Sequence, residues 1–458
     1  MDTILNIVNT INSYLSDYIL IVLLLSTGIF FTIKTRFVQV RCFGEGMKSI
    51  FGGFSLNGKS SKDGLSSFQA LTTAIAAQVG TGNIIGACGA ILTGGPGAIF
   101  WMWVIAFFGM ATIYAEAVLA QETRVVAKNG EIFGGPVYYI KKAFKGKLGI
   151  FLAGFFAFAI VMALGFMGCL VQSNSIAQTS NNAFGVPTLA VGVVVSIICA
   201  FVFLGDVDRL ASVTEKVVPI MAVLYLGGCV VILAFNIKDL PEAFFLIFKY
   251  AFNPSAIIGG GFGAALKTAI SQGAQRGLFS NEAGMGSTPH AHALADVEKP
   301  HNQGVVAMAG TFIDTFVVLS ITALVVISSF YAGNGVLADG VENGVNKTNM
   351  AQIAFNEVIG GNVGAIFIAV CLFFFAFSTI LSWNFFGKIN VTYLFGKSAC
   401  VIYTIISIGF VFLGSLFSDG LVWALTDMFN YLMVFPNVIA LIALSKIVKE
   451  SSNSNKLK

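Results

Sequence analysis

Ala76 to Gly89 reads AAQVGTGNIIGACG. It sits inside an apolar run, near 67–92, that is long enough to cross a bilayer, yet glycines 80, 82 and 86 together with Gln78, Thr81 and Asn83 interrupt its middle. A helix broken there exposes backbone N–H and C=O groups to a medium that cannot satisfy them, at several kcal/mol each, so something must occupy them. Carbonyls ending the first half-helix suit a small cation, and N–H groups opening the second half-helix suit a carboxylate. Glycine tolerates the dihedrals and lets a ligand approach the backbone. The stretch therefore predicts a site for a zwitterion and a hard monovalent cation. The competing reading is a small-residue face on which membrane helices pack.

The rest of the chain supports a membrane setting. Its 458 residues are 56% hydrophobic and only 10% charged, with a mean hydropathy of +0.85, too apolar for a water-soluble domain of this size. A hydrocarbon core of about 30 Å needs roughly 20 apolar residues. About eleven such runs are visible, near 18–34, 67–92, 97–122, 149–179, 188–205, 214–236, 257–282, 303–331, 362–388, 399–416 and 421–447. They are long and continuous, unlike the short alternating strands of an outer-membrane barrel. The expected fold is all-α and integral to the membrane. Residues 1–17 hold Asp2 and Asp17 but no Lys or Arg, so the first run reads as a retained helix rather than a signal peptide.

With eleven spans the basic residues separate by side, about 21 in one set of loops and about 3 in the other. That bias places the N-terminus outside and the C-terminus in the cytoplasm of a cell membrane, and it accounts for the net charge of +4 without a nucleic-acid partner. The seven cysteines include no CxxC pair and suggest neither a disulfide framework nor a zinc site.

A second polar, glycine-rich membrane stretch, ISQGAQRGLFSNEAGMGS from Ile270 to Ser287, lies five spans after the first. Interrupted helices at matching positions of two halves point to the binding site of a secondary transporter. The expected organisation is an extra N-terminal helix and loop (1–66), a first five-helix repeat (67–236), a second, inverted one (237–447), and a disordered cytoplasmic tail (448–458). Leu240 to Phe252 is too short to span and is expected to lie along the outer surface.

GTGNIIG lacks the βαβ setting of a nucleotide loop, and no HExxH, GxSxG or acid/histidine cluster suggests an enzyme. Glu116, Lys267, Arg276, Glu282 and Asp314 fall in or near spans, where mutual pairing or an interfacial position is the favoured role. His290, His292 and His301 read as a solvated loop rather than as metal ligands or a proton sensor. Ser378 and Thr379 interrupt the apolar ninth run and are expected to complete a sodium site with carbonyls of the broken second span, because oxygen-only coordination suits a hard cation. Trp383 is expected to wall the pocket, and Gln172 and Asn174 to reach it.

At these residues the chain resembles the alanine or glycine:cation symporter family. The resemblance rests on QVGTGNIIG, GGPVYYIKKA at Gly134, VQSNSIA at Val171, QGAQRGLFSNEAGMGSTPHAHA at Gln272 and STILSWNFFG at Ser378, and runs from about residue 15 to about 447. It implies uptake of alanine or glycine coupled to sodium, the inverted-repeat fold of leucine-transporter type with two broken helices, and no cofactor beyond the coupling ion. Carried over residue by residue, Ala76 and Val79 carbonyls with Ser378 and Thr379 hydroxyls form the sodium site. It further implies that Thr81 and Gly82 offer N–H groups to the substrate carboxylate with Asn83 nearby, and that Ser271, Gln272 and Gly273 are the unwound partner stretch; Gln78, Gly80, Gln172 and Trp383, read from the residues, complete the expected substrate site. Proton coupling or a glutamine-type substrate is the alternative, and a cation channel with a glycine-rich filter the more distant one.

Overall fold

Long apolar segments in a chain with few charges can satisfy their backbone only within themselves, and helices do so. The computed structural model describes residues 2–52, 65–127, 131–205, 207–253, 261–333, 335–337 and 344–453, and a helix or bent helix pair covers each of the eleven apolar runs. Six helices are long and apolar enough to cross a bilayer: Ala98–Thr123, Gly146–Phe184, Arg209–Phe235, Pro300–Phe330, Val363–Phe395 and Asp419–Ala443. A seventh is the pair Ser67–Gln78 and Gly82–Gly94, bent by 46°. Ile21–Lys34, Thr188–Phe203 and Ala399–Gly414 are shorter apolar helices, and Phe262–Asn281 fills the remaining run. Among the described residues the only strands are the two-residue pair Val125–Val126 and Ile132–Phe133.

Ala98–Thr123 lies at the centre, packed on Pro300–Phe312 and Phe262–Asn281 and buried along most of its length. Val363–Phe395, about 50 Å long at 1.5 Å per residue, runs along Cys169–Phe184 and the broken helix. Leu240–Phe252 is the short amphipathic helix that its sequence suggests. Ala243, Leu246, Ile247 and Ala251 face inward while Phe244, Phe245, Phe248 and Phe252 remain exposed. It is seated on the start of Ala98–Thr123, where the Trp101 indole donates to the Ala251 carbonyl at 3.0 Å.

Two expectations are corrected. Phe262–Asn281 is unbroken through Ser271, Gln272 and Gly273, so these three are not the unwound stretch. The chain leaves the helix at Glu282, with φ of 57° there, 94° at Gly284 and 80° at Gly286, before a short helix at Pro289–His292. The break falls where two glycines permit positive φ, and Ser271–Gly273 has no such need. The tail is also more ordered than expected. Ser445–Asn453 is helical, with Val448 fully buried and the Ser452 carbonyl accepting from Arg41 at 2.9 Å; residues 454–458 lie outside the described residues.

Gly97 is where Leu240–Phe252 comes closest to the start of Ala98–Thr123, since a Cβ there would lie 2.2 Å from the Tyr250 carbonyl. Gly97→Val should therefore displace Leu240–Phe252 and lower the melting temperature in detergent, and an unchanged melting curve would contradict that packing.

Candidate functional site

Helix Ser67–Gln78 begins at a reciprocal cap between Ser66 and Gln69 and ends at Val79, whose ψ of 85° turns the chain out of the helix. Gly80 is needed because the backbone passes Thr379 so closely that a Cβ would lie 2.5 Å from its hydroxyl. The N–H groups freed by the turn are met by side chains from elsewhere. Asn83 Oδ1 accepts from Gly80 at 3.1 Å, and Gln172 Oε1 accepts from Thr81 at 3.2 Å. Gln78 donates to the Asn281 carbonyl at 2.7 Å and so ties the first break to the second. Thr81, Asn83, Gln172 and Trp383 are buried, with Phe279 and Ser280 against Gly82.

The second break is held by acids. Glu116 accepts from the backbone N–H of Gly284 at 3.1 Å and of Gly286 at 2.9 Å, and from the Asn437 amide at 2.6 Å. Glu282 accepts from the Trp383 indole and from the Ser287 hydroxyl, each at 2.5 Å. Asp314 accepts from Asn83 at 2.6 Å and from Ser280 and Thr315 at 2.9 Å. The expected mutual pairing of intramembrane charges is thus realised for Arg276, which forks onto Asp427 at 3.2 and 2.9 Å, whereas these three carboxylates are held by neutral donors.

The cation-site residues converge only in part. The Thr379 hydroxyl donates to the Ala76 carbonyl at 2.8 Å and to Phe375 at 3.0 Å, and Val79 lies buried beside them. Ser378 turns the other way, donating to the Phe375 carbonyl at 2.9 Å with Met221 Sδ at 3.6 Å. Adjacent positions on a helix point about 100° apart, so only one of the two hydroxyls faces the break.

Other residues lie elsewhere. Gly273 serves close packing on Trp101, and Gln275 donates to the Ser271 hydroxyl. Gln272 lines a cavity of about 140 Å³ with Gly86, Gly89, Arg276, Lys347 and Trp423, in which the Arg276 and Lys347 cations each stand 4.7 Å from the Trp423 ring. Asn174 bridges to the Gly414 and Phe417 carbonyls, away from the break. The three histidines are buried with defined partners rather than solvated, and burial pushes His290 down to about 4 and His292 to about 3, keeping both neutral. Within the stretch Ile270 to Ser287 the sequence reading places the unwinding at Ser271 to Gly273, whereas the chain turns at Glu282; the signal for that position is the alternating glycines of NEAGMG, later in the same stretch.

A broken apolar helix tied by polar side chains to the end of a second helix at Asn281, with an oxygen cluster beside the break, agrees with the comparison with protein families: the model described as "Sodium:alanine symporter family" matches residues 1–456. The chain belongs to the sodium:alanine symporter family. It is a transporter and not an enzyme. Within the family the chain is 43% identical to the sodium/alanine symporter AgcS of Methanococcus maripaludis, over 97% of this chain and 95% of that one. It is 40% identical to the putative sodium/proton-dependent alanine carrier protein YrbD of Bacillus subtilis, over 96% and 90%. It is 37% identical to the probable sodium/glutamine symporter GlnT of the same organism, over 97% and 89%.

Removing the Glu116 carboxylate would strip the second break of its acceptor and leave two buried N–H groups unsatisfied, at about 1–3 kcal/mol each. Glu116→Ala should therefore lower the melting temperature in detergent by several degrees or abolish the folded protein; wild-type stability would contradict the role of Glu116.

Proposed function

We propose that this family member imports a small neutral amino acid, alanine or glycine, together with sodium, by alternating access about the paired breaks. One observation carries the reading. Thr81 Oγ1 and Gln172 Nε2 are buried polar atoms without a hydrogen-bond partner, on neighbouring side chains at the first break. Buried polar groups are nearly always satisfied, and these two, beside the N-terminus of the Gly82–Gly94 half-helix, suit an amino acid carboxylate. The Phe279 and Trp383 rings, edge to face at 5.7 Å, pack beside this turn and would wall the bound amino acid on one side. Gln78, Asn83 and Asp314 hold the surrounding turn.

Sodium would sit where Thr379 meets the Ala76 and Val79 carbonyls, with the Phe375 carbonyl adding an oxygen that sequence reasoning did not include. Each ligand then stabilises the same turn, so each raises the affinity of the other. The names of AgcS and YrbD support alanine with sodium, and the name of GlnT marks the alternative substrate. Asp314 and Glu282, which have no basic partner among the described residues, favour the alternative of a proton as coupling ion.

The arrangement we infer around the site has eleven spans. One precedes two inverted five-helix halves, 67–236 and 237–447, each opening with a broken helix. The N-terminus lies outside and the C-terminus in the cytoplasm of the cell membrane.

Labelled alanine uptake into proteoliposomes tests the proposal. Accumulation is expected with an inward sodium gradient and not with the same gradient of potassium; equal flux in both would overturn sodium coupling. Thr379→Ala should raise the sodium concentration for half-maximal uptake about tenfold or more with little change in protein stability. Gln172→Ala should raise the KM for alanine by a similar factor. An unchanged sodium dependence or an unchanged KM would remove the respective residue from the site.

A further inference from the structure

At the end of the molecule where the C-terminal helix docks, Cys42, Glu45 and His301 come together although neither cysteine spacing nor histidine spacing brings them close in sequence. Their sulfur, carboxylate oxygen and ring nitrogen all lie within 4.8 Å of one another. Cys42 closes the short helix Val38–Arg41 and Glu45 is in the first turn of Phe43–Gly52, so the two reach toward one point from consecutive turns. His301 is the second residue of Pro300–Phe312. The two helices are fixed against each other beside the cluster, since a Cβ on Gly46 would lie 2.5 Å from the Val305 carbonyl and the Phe43 and Phe312 rings meet at 4.7 Å.

The chemistry of the three groups is selective. His301 Nδ1 is 2.7 Å from the Tyr114 hydroxyl, which orients the ring so that Nε2 faces Glu45 at 3.4 Å. A ring nitrogen held by a second partner in this way is the usual arrangement of a metal-binding histidine. The Cys42 thiol is 4% exposed and makes no hydrogen bond among the described residues, while Glu45 is open to solvent. Thiolate, imidazole and carboxylate together suit a borderline ion with four-fold coordination, three positions from protein and one from water. Hard ions such as sodium or magnesium favour oxygen alone.

We propose that Cys42, Glu45 and His301 form a binding site for a divalent transition metal of the zinc class, clamping helix Phe43–Gly52 to helix Pro300–Phe312. The site does not depend on the transport reading. A thiol binds metal as the thiolate, so binding at Cys42 releases a proton.

The test is titration of tag-free, metal-stripped protein with Co²⁺, followed by absorbance. One equivalent is expected to give a near-ultraviolet sulfur-to-cobalt band with visible bands of tetrahedral type, all bleached by Zn²⁺. Cys42→Ser should lose the near-ultraviolet band. Glu45→Gln, at an exposed position, should fold normally and bind about tenfold or more weakly, and Tyr114→Phe should weaken binding about tenfold while keeping the spectrum. No saturable band in the wild type, an undiminished sulfur band in Cys42→Ser, or wild-type affinity in Glu45→Gln would overturn the assignment.

Discussion

A membrane helix that stops and restarts must have its freed backbone groups satisfied by something other than water or lipid. The rest of this structure is arranged around that constraint. Asn83 and Gln172 take the N–H groups of Gly80 and Thr81, Glu116 takes those of Gly284 and Gly286, and Gln78 closes the end of the helix at Asn281. Asn83 acts within its own turn, whereas Gln172, Glu116 and Gln78 reach across from segments far apart in sequence, so the breaks also staple the bundle together.

The two breaks are satisfied differently. The second is sealed by a carboxylate with its donors complete, which suits a fixed element. The first is held by neutral amides that can exchange partners, and it leaves Thr81 Oγ1 and Gln172 Nε2 unpaired. A ligand carboxylate displaces a neutral amide oxygen from an N–H far more readily than it displaces another carboxylate. Because Thr379 binds the Ala76 carbonyl one turn before the break, an ion at that oxygen and a ligand at Thr81 act on one short segment. Coupling then needs no long path through the protein.

Much of this was legible in the sequence. Apolar run length anticipated a nearly all-helical membrane protein, of which six or seven described helices are long and apolar enough to span, and Gly80 and Gly82 located the first break because the polar residues interrupt a run that is otherwise continuous. Gln172 and Thr379 were legible as polar side chains in apolar surroundings, and the structure brings both to the break. Ser378 was misread because its neighbour in sequence lies on another face of the same helix. Ser271 to Gly273 were misread because a glycine between packed helices looks the same in sequence as a glycine at a turn; Gly273 lies against Trp101, while Gly284 and Gly286 adopt positive φ. The buried histidines, and the meeting of Cys42 with His301, depend on contacts between distant segments that no local pattern carries.

The central claim is that sodium and an amino acid stabilise the same interrupted turn. Equilibrium binding of labelled alanine to the purified protein, with sodium or with potassium at equal ionic strength, tests it most directly. The account predicts a dissociation constant at least fivefold lower in sodium, in the range of ordinary coupling energies of about 1–3 kcal/mol, and loss of that difference in Thr379→Ala. Equal affinity in the two salts would contradict it.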